Sequence, residues 1–173
     1  MRKIILNVAV SLDGYIEGPN GEYDWCFTDQ DYGMSDFFKR IDAVFLGRKS
    51  YEMSLGVENA DNSWMPPVAT YVFSNSLQAV KSDAILVSGA LKPAIERIKS
   101  EPGKDIWLFG GAELTASLLR ENLVDEFMLS IHPILLGSGK LLFGNHPNRV
   151  QLQLSDTKTY DSGLVTLIYV LKV

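Results

Sequence analysis

Apolar and polar residues come in blocks along the chain, and block length decides the element. Residues 3–10 (KIILNVAV) are an unbroken apolar, β-branched run, too short for a core helix, and read as a buried first strand. Runs of the same kind recur at 43–46, 69–74, 84–88 and 105–109. Between them the period becomes helical. Met34, Phe37, Phe38 and Ile41 share one face of a helix over 29–41, with Thr28 and Asp31 spaced as a capping pair at its start. Leu91, Ile95 and Ile98 mark a helix over 91–100, and Leu114, Leu118 and Leu119 one over 112–121. A shorter helix is expected from Lys49 to about Leu55.

The last third changes character. Strand-like runs at 125–136, 149–158 and 164–172 follow one another with only Gly, Asn, Pro and an Asp-Ser-Gly turn between them. Alternating strands and helices followed by consecutive strands predict a single α/β domain over 1–173. Its sheet is mostly parallel with an antiparallel C-terminal edge. Residues 11–28 and 56–67 are polar, carry Gly or Pro, and read as loops.

Composition narrows the function classes. Of 173 residues, 46% are hydrophobic, enough for a sizeable core, and the net charge is −5. That balance argues against nucleic acid or an anionic membrane as the main partner. The single cysteine, Cys26, excludes an intrachain disulfide, and with only His132 and His146 beside it no zinc site is expected. The opening run lacks a small-residue cleavage site, and no run approaches the ~20 apolar residues of a spanning helix. A cytoplasmic protein is expected.

Two strand–helix junctions carry candidate chemistry. In VFLGRKSYE (44–52), Gly47 ends a strand, and Arg48, Lys49 and Ser50 open a helix. Unpaired N–H groups with two cations make an anion site suited to phosphate. In WLFGGAELTASLL (107–119), Gly110 and Gly111 separate strand from helix and admit a ligand close to the backbone. Both lie at strand carboxyl ends, where dinucleotides bind in open α/β sheets. Ser74 and Asn75 end another strand and could meet a ribose or its phosphate, or simply turn the chain. GSGK (137–140) lacks the first Gly and the Ser/Thr of a phosphate loop and reads as a turn. His132 and Cys26 read as structural. Asp31, expected on the inward face of the first helix, either holds a polar heterocycle or caps. The stretch VAVSLDGYIEGPNGEYDW (8–25) stops a strand at Ser11, turns at Asp13-Gly14 and ends on Trp25, as if to enclose something flat.

Together AVSLDGYI (9–16) with DW (24–25), DAVFLGRKSYE (42–52), FGGAEL (109–114) and DEFMLSIHPILLGSG (125–139) carry a resemblance over nearly the whole chain. The chain resembles the dihydrofolate-reductase-like superfamily, in particular the reductase domain found C-terminal in bifunctional riboflavin-biosynthesis deaminase/reductases. The resemblance implies a three-layer fold with a mixed sheet of about eight strands. It also implies NADPH-dependent hydride transfer to a small heterocycle, dihydrofolate-like or 5-amino-6-(5-phosphoribosylamino)uracil-like. Gly47, Arg48, Lys49 and Ser50 would take cofactor phosphates. Gly110, Gly111 and Ala112, with Glu113 and Leu114, would take the pyrophosphate side. Ser74 and Asn75 would meet the adenosine 2′-phosphate region. Ala9, Ser11, Gly14, Tyr15 and Ile16 would flank the nicotinamide. Asn7, Asp13, Trp25, Asp31 and Met34 would face substrate, with Asp31 the catalytic candidate. Two positions depart from the pattern. Met34 stands where dihydrofolate reductases place a helix carboxylate, and Asn7 where riboflavin-pathway reductases often carry Lys. The alternative is a ligand-binding domain of this fold without turnover. A homodimer through the C-terminal strands is expected, each subunit keeping its own cleft.

Overall fold

The computed structural model describes residues 1–56, 66–81, 83–144 and 149–172. The apolar runs pair into one eight-stranded sheet built from β1 (Ile4–Ser11), β3 (Ile41–Gly47), β4 (Ala69–Phe73), β5 (Ala84–Val87), β6 (Asp105–Gly110), β7 (Glu126–His132), β9 (Leu152–Thr159) and β10 (Val165–Leu171). The spatial order is β5-β4-β3-β6-β1-β7-β10-β9. Pairing is parallel from β5 to β7, and β10 runs antiparallel to both β7 and β9. This is the mixed, mostly parallel sheet with an antiparallel C-terminal edge that the block pattern predicts. Four helices join it: α1 (Met34–Arg40), α2 (Arg48–Gly56), α3 (Leu91–Ser100) and α4 (Ala112–Arg120). No described helix is long and apolar enough to cross a membrane.

Side chains alternate across a strand, so each strand serves two faces. On one, Ile4 and Leu6 of β1, Phe45 of β3 and Leu108 of β6 pack with Ile95 and Ile98 of α3 and Leu114 and Leu118 of α4. Each such burial is worth roughly 1.5–3 kcal/mol. On the other, Ile5, Val44 and Trp107 pack with Phe37 of α1. Helix α1 is only seven residues long. It covers the starts of these strands, while Asn7, Ala9, Phe109 and Ser130, further along, line an open cleft. The short helix is therefore what leaves a floor for a ligand.

The sequence predicts a helix over 29–41, and the structure shortens it to Met34–Arg40. Tyr32 (φ 50°) and Gly33 (φ 83°) take the left-handed conformation and break it. Asp31 lies ahead of the helix, exposed, and not on its inward face. Its carboxylate accepts the N–H groups of Gly33 and Ser35, both at 3.0 Å, and the Ser35 hydroxyl at 2.6 Å, without help from Thr28. The run 125–136 ends as a strand at His132, because Pro133 has no N–H for a ladder. The last strand pair starts later than expected, at Leu152. Residues 11–28 are not all loop. β2 (Tyr15–Glu17) pairs antiparallel with β8 (Lys140–Leu141) in a separate two-stranded ribbon. Of the loop expected over 56–67, residues 57–65 lie outside the described residues.

Candidate active site

Because β3 and β6 are neighbours, the turns that follow them lie side by side. A Cβ at Gly47 would stand 3.4 Å from Leu114 Cβ and 3.5 Å from Gly111 N, and a Cβ at Gly111 would stand 3.1 Å from Ser50 Oγ. The backbones of the two turns thus approach as closely as glycine permits. Gly110, at φ 116°, occupies a region that favours glycine, and the Gly110–Gly111 peptide is cis. Helix α4 has Gly111 at its N-cap and no side-chain cap, so its first-turn N–H groups remain open to a ligand. Arg48 pairs with Glu52 one turn on, and Lys49 reaches across to Glu113 at 2.7 Å. The Lys49 hydrogen bond holds the Glu113 carboxyl below its usual range, with Lys140 and Arg48 adding to the field.

These turns open onto a cleft of about 2120 Å³, well above the ~300–1,000 Å³ of a single small-molecule site. It has room for an extended ligand and a second molecule beside it. Ala112 and Ser50 line it, as do Ser74 and Asn75 at the end of β4. Their side chains also build the local turn. Ser74 Oγ accepts the N–H groups of Ser76 and Leu77, and Asn75 Oδ1 accepts that of Gly89 at 2.7 Å. Lys81, anchored through its N–H to the Tyr51 hydroxyl, lines the cleft as well.

The floor is built by β1, β6, β7 and α1. Asn7 Nδ2 donates to Met34 Sδ at 3.6 Å, and the Asn7 carbonyl accepts the indole N–H of Trp107. Ala9 lies opposite Ser130 of β7. Phe109 is 39% exposed, an unusual position for a large apolar strand residue, and it lies in this cleft.

The nicotinamide-flanking candidates divide into lining and support. Ile16 of β2 lines the cleft. Ser11, Asp13, Gly14 and Tyr15 do not; they fix the strap that carries Ile16. Gly14 (φ 92°) donates to the Ser11 carbonyl and accepts from Leu142 N. Ser11 Oγ accepts the Tyr15 N–H. Asp13, expected to face substrate, spends its carboxylate on the Ser11 hydroxyl and the N–H groups of Leu136 and Gly137. The Ser11 bond is the main reason its pKa lies below the ordinary value. Lys140 of the ribbon pairs with Glu17 at 3.0 Å, and both line the cleft.

Trp25, expected on the cavity wall, packs edge-on against His132 with ring centroids 5.3 Å apart and donates to the Glu22 carbonyl. Its neighbours Tyr23, Cys26 and Phe27 line the cleft instead. Burial pushes the Cys26 thiol up to about 11, leaving it an unreactive thiol at neutral pH. His132 anchors this loop. Its Nδ1 donates to the Ser130 carbonyl and its Nε2 accepts the Phe27 N–H at 3.1 Å, an arrangement only the neutral ring can make. Burial lowers its pKa from the ordinary 6.5. The unfolded chain therefore takes the proton first. The stabilisation is complete above pH 6.5 and is lost as pH falls from there through the folded-state value. Melting temperature measured from pH 7.5 downward should fall more steeply for the parent than for His132→Gln, whose amide still accepts a hydrogen bond but does not titrate. Parallel slopes would contradict this anchoring role.

Asp31 lines the cleft from an exposed position ahead of α1. The Ser35 hydroxyl and the turn N–H groups hold its pKa below the ordinary carboxyl value, so it is an anion at neutral pH and not a proton reservoir. Sequence reasoning passed over Phe109, Lys81 and Lys140.

The profile of the RibD C-terminal domain family matches residues 2–166. The Bacillus subtilis protein YyaP is 41% identical over 177 residues, covering 97% of this chain and 94% of that protein. A Caenorhabditis elegans protein named "Putative dihydrofolate reductase" is 38% identical over 144 residues, 75% of this chain and 71% of its own length. The solved structure of a Shewanella sp. PV-4 protein, named "Putative riboflavin biosynthesis protein", superposes with a TM-score of 0.86 at 27% identity and full coverage of both chains. A family profile that runs from two residues before β1 into β10 takes in both glycine turns and the strap, and the chain belongs to the RibD C-terminal domain family.

Proposed function

We propose that the chain is an NADPH-dependent reductase of a small flat heterocycle, working in the cytoplasm. The observation that carries this reading is the pair of abutting glycine turns, 47–50 and 110–114, at one end of a cleft whose floor is apolar and aromatic. The donor set fits a dinucleotide. Uncapped N–H groups of α4 suit the pyrophosphate, Arg48, Lys49 and Lys81 supply positive charge, and the lack of a side chain at Gly111 lets Ser50 of the first turn sit close beside the start of α4. When bound, NADPH supplies a hydride to an electron-poor carbon of the substrate, and the balancing proton comes from solvent. The chain's own part is orientation and exclusion of water. The strap carrying Ile16 covers the site from one side, and Asn7 and Phe109 form the floor. Asp31 is ionised, so water delivers the proton.

Competition between NADPH and NADH tests the reading. NADPH is expected to bind at least tenfold tighter, since a 2′-phosphate adds charge-assisted hydrogen bonds of roughly 1.5–3 kcal/mol each. Arg48→Ala should narrow the gap. Equal affinities in the parent would remove the preference for NADPH. No binding of either cofactor would remove the reductase reading. Tight binding without oxidation across pterins and aminouracils would leave a binding domain.

The reading includes a homodimer. Leu154 of β9 is 50% exposed, Tyr169 and Leu171 of β10 are half-buried, and Phe143, itself exposed, packs near Phe127 of β7, the strand beside β10. An apolar strip at the edge of a sheet is an association surface, and a symmetric copy is its simplest cover. Sedimentation at micromolar concentration should give twice the chain mass. A monomer that persists as concentration rises would refute the dimer.

A further inference from the structure

We infer that the substrate end of this cleft selects an uncharged planar ring without phosphate, and that Asn7 is the residue that reads it; this rests on the reductase reading above. The cleft separates its charges. Among the described residues its lining cations are Arg48, Lys49, Lys81 and Lys140, and none belongs to the floor strand β1 or to α1. Three are already engaged, by Glu52, Glu113 and Glu17. The residues outside the described set contain no Lys or Arg. Beside α1 the lining is Asn7, Met34, Phe38 and Phe109, with anionic Asp31 at an exposed position ahead of the helix. Lys158 of β9 is close enough to act on Asp31 and Asp36, but it sits over the Tyr160 ring, 5.1 Å from the centroid, and does not line the cleft. Asp31 lines the cleft while Lys158, the cation that acts on it, does not, so an anionic group at this end would face a carboxylate before any cation, whereas a neutral ring covers Phe109 without that repulsion.

Asn7 supplies the polar reading. Its residue is only 8% exposed, yet it lines the cleft. Met34 Sδ takes its amide N–H, and sulfur accepts rather than donates here, so the orientation of the amide is fixed. Among the described residues its Oδ1 receives no hydrogen bond, and it is not sealed from solvent. An accessible carbonyl oxygen on a cleft-lining residue suits an N–H on the ring. The preferred ligand is thus a neutral lactam-type or amino-substituted heterocycle that places an N–H against Asn7 and a face against Phe109.

The test is calorimetric titration of the NADPH-loaded protein with 5-amino-6-(ribosylamino)uracil and with its 5′-phosphate, which share one ring and differ in one anionic group. The unphosphorylated ligand is expected to bind at least tenfold tighter. Asn7→Ala should weaken it about tenfold, the order of one hydrogen bond, with NADPH affinity unchanged. Asn7→Lys should reverse the order. Since Asn7 is buried, Ser35→Lys, at an exposed position of α1 that also lines the cleft, provides a second route, and it should improve binding of the phosphate alone. Equal or tighter binding of the phosphate by the parent overturns the proposal, as does failure of both to bind. An unchanged affinity in Asn7→Ala removes Asn7 as the reader. A separate titration with NADPH alone keeps the two readings apart. Loss of cofactor binding there sinks the reductase, and ring preference measured without cofactor still stands or falls by itself.

Discussion

Replacing Gly111 with valine is expected to weaken NADPH binding at least ~100-fold, about 2.7 kcal/mol, while the fold survives. Gly111 has φ −77° and ψ −163°, an extended conformation that any residue adopts, so the substitution brings no backbone strain. Its cost is spatial. The new Cβ lies 3.1 Å from Ser50 Oγ, so valine forces the two turns apart next to the open N–H groups at the start of α4. Gly110 would be a poorer probe, because at φ 116° alanine would strain the chain and confuse stability with binding. Fluorescence titration of the reduced cofactor, paired with a thermal melt, separates the two effects. A variant that binds NADPH like the parent would show that the phosphates do not use this cradle.

Much of the molecule is legible in the sequence because its signals are local. The β-branched runs at 3–10, 43–46 and 105–109 each become a central strand. The turns at Gly47 and Gly110-Gly111 announce themselves by glycine next to a buried run, with charge or helix period following. What fails is what depends on distant partners. The apolar period of Met34, Phe37 and Phe38 is real, but two left-handed residues before it make the helix start late, and that brevity exposes Phe109. As a sequence letter Phe109 is one more core strand residue. Asp13 reads as a turn acid facing ligand, while its acceptors are spent on N–H groups of Leu136 and Gly137, far along the chain. Lys140 belongs to a false phosphate-loop motif and reaches the cleft only because β8 pairs with β2. Trp25 reads as a wall for a flat ligand, and the ring it meets is that of His132.

The end of the sheet opposite the cleft, where β6 and β7 begin, carries the largest expected stability effect. Glu126, at the start of β7, is 6% exposed and accepts both guanidinium nitrogens of Arg40, at 2.9 and 3.0 Å; Asp105 adds a longer contact at 3.5 Å. Arg40 is the last residue of α1, where a cation also suits the helix dipole. The Glu126 hydrogen bonds raise the guanidinium pKa against its desolvation. Glu126→Ala leaves that cation half-buried without its fork partner, and the cost is expected near the lower end of ~3–5 kcal/mol because Arg40 keeps some solvent. At roughly 2–4 °C per kcal/mol for a chain of this size, the melting point should drop by about 6–12 °C. Replacing both partners, Glu126→Leu with Arg40→Met, removes the stranded charge along with the pair and should recover most of the loss. Because α1 carries Met34 and Phe38 against the floor, Glu126→Ala should also weaken heterocycle binding more than NADPH binding. A melting point within a degree of the parent, or an equal loss for both ligands, would show that this fork does not hold α1 in place.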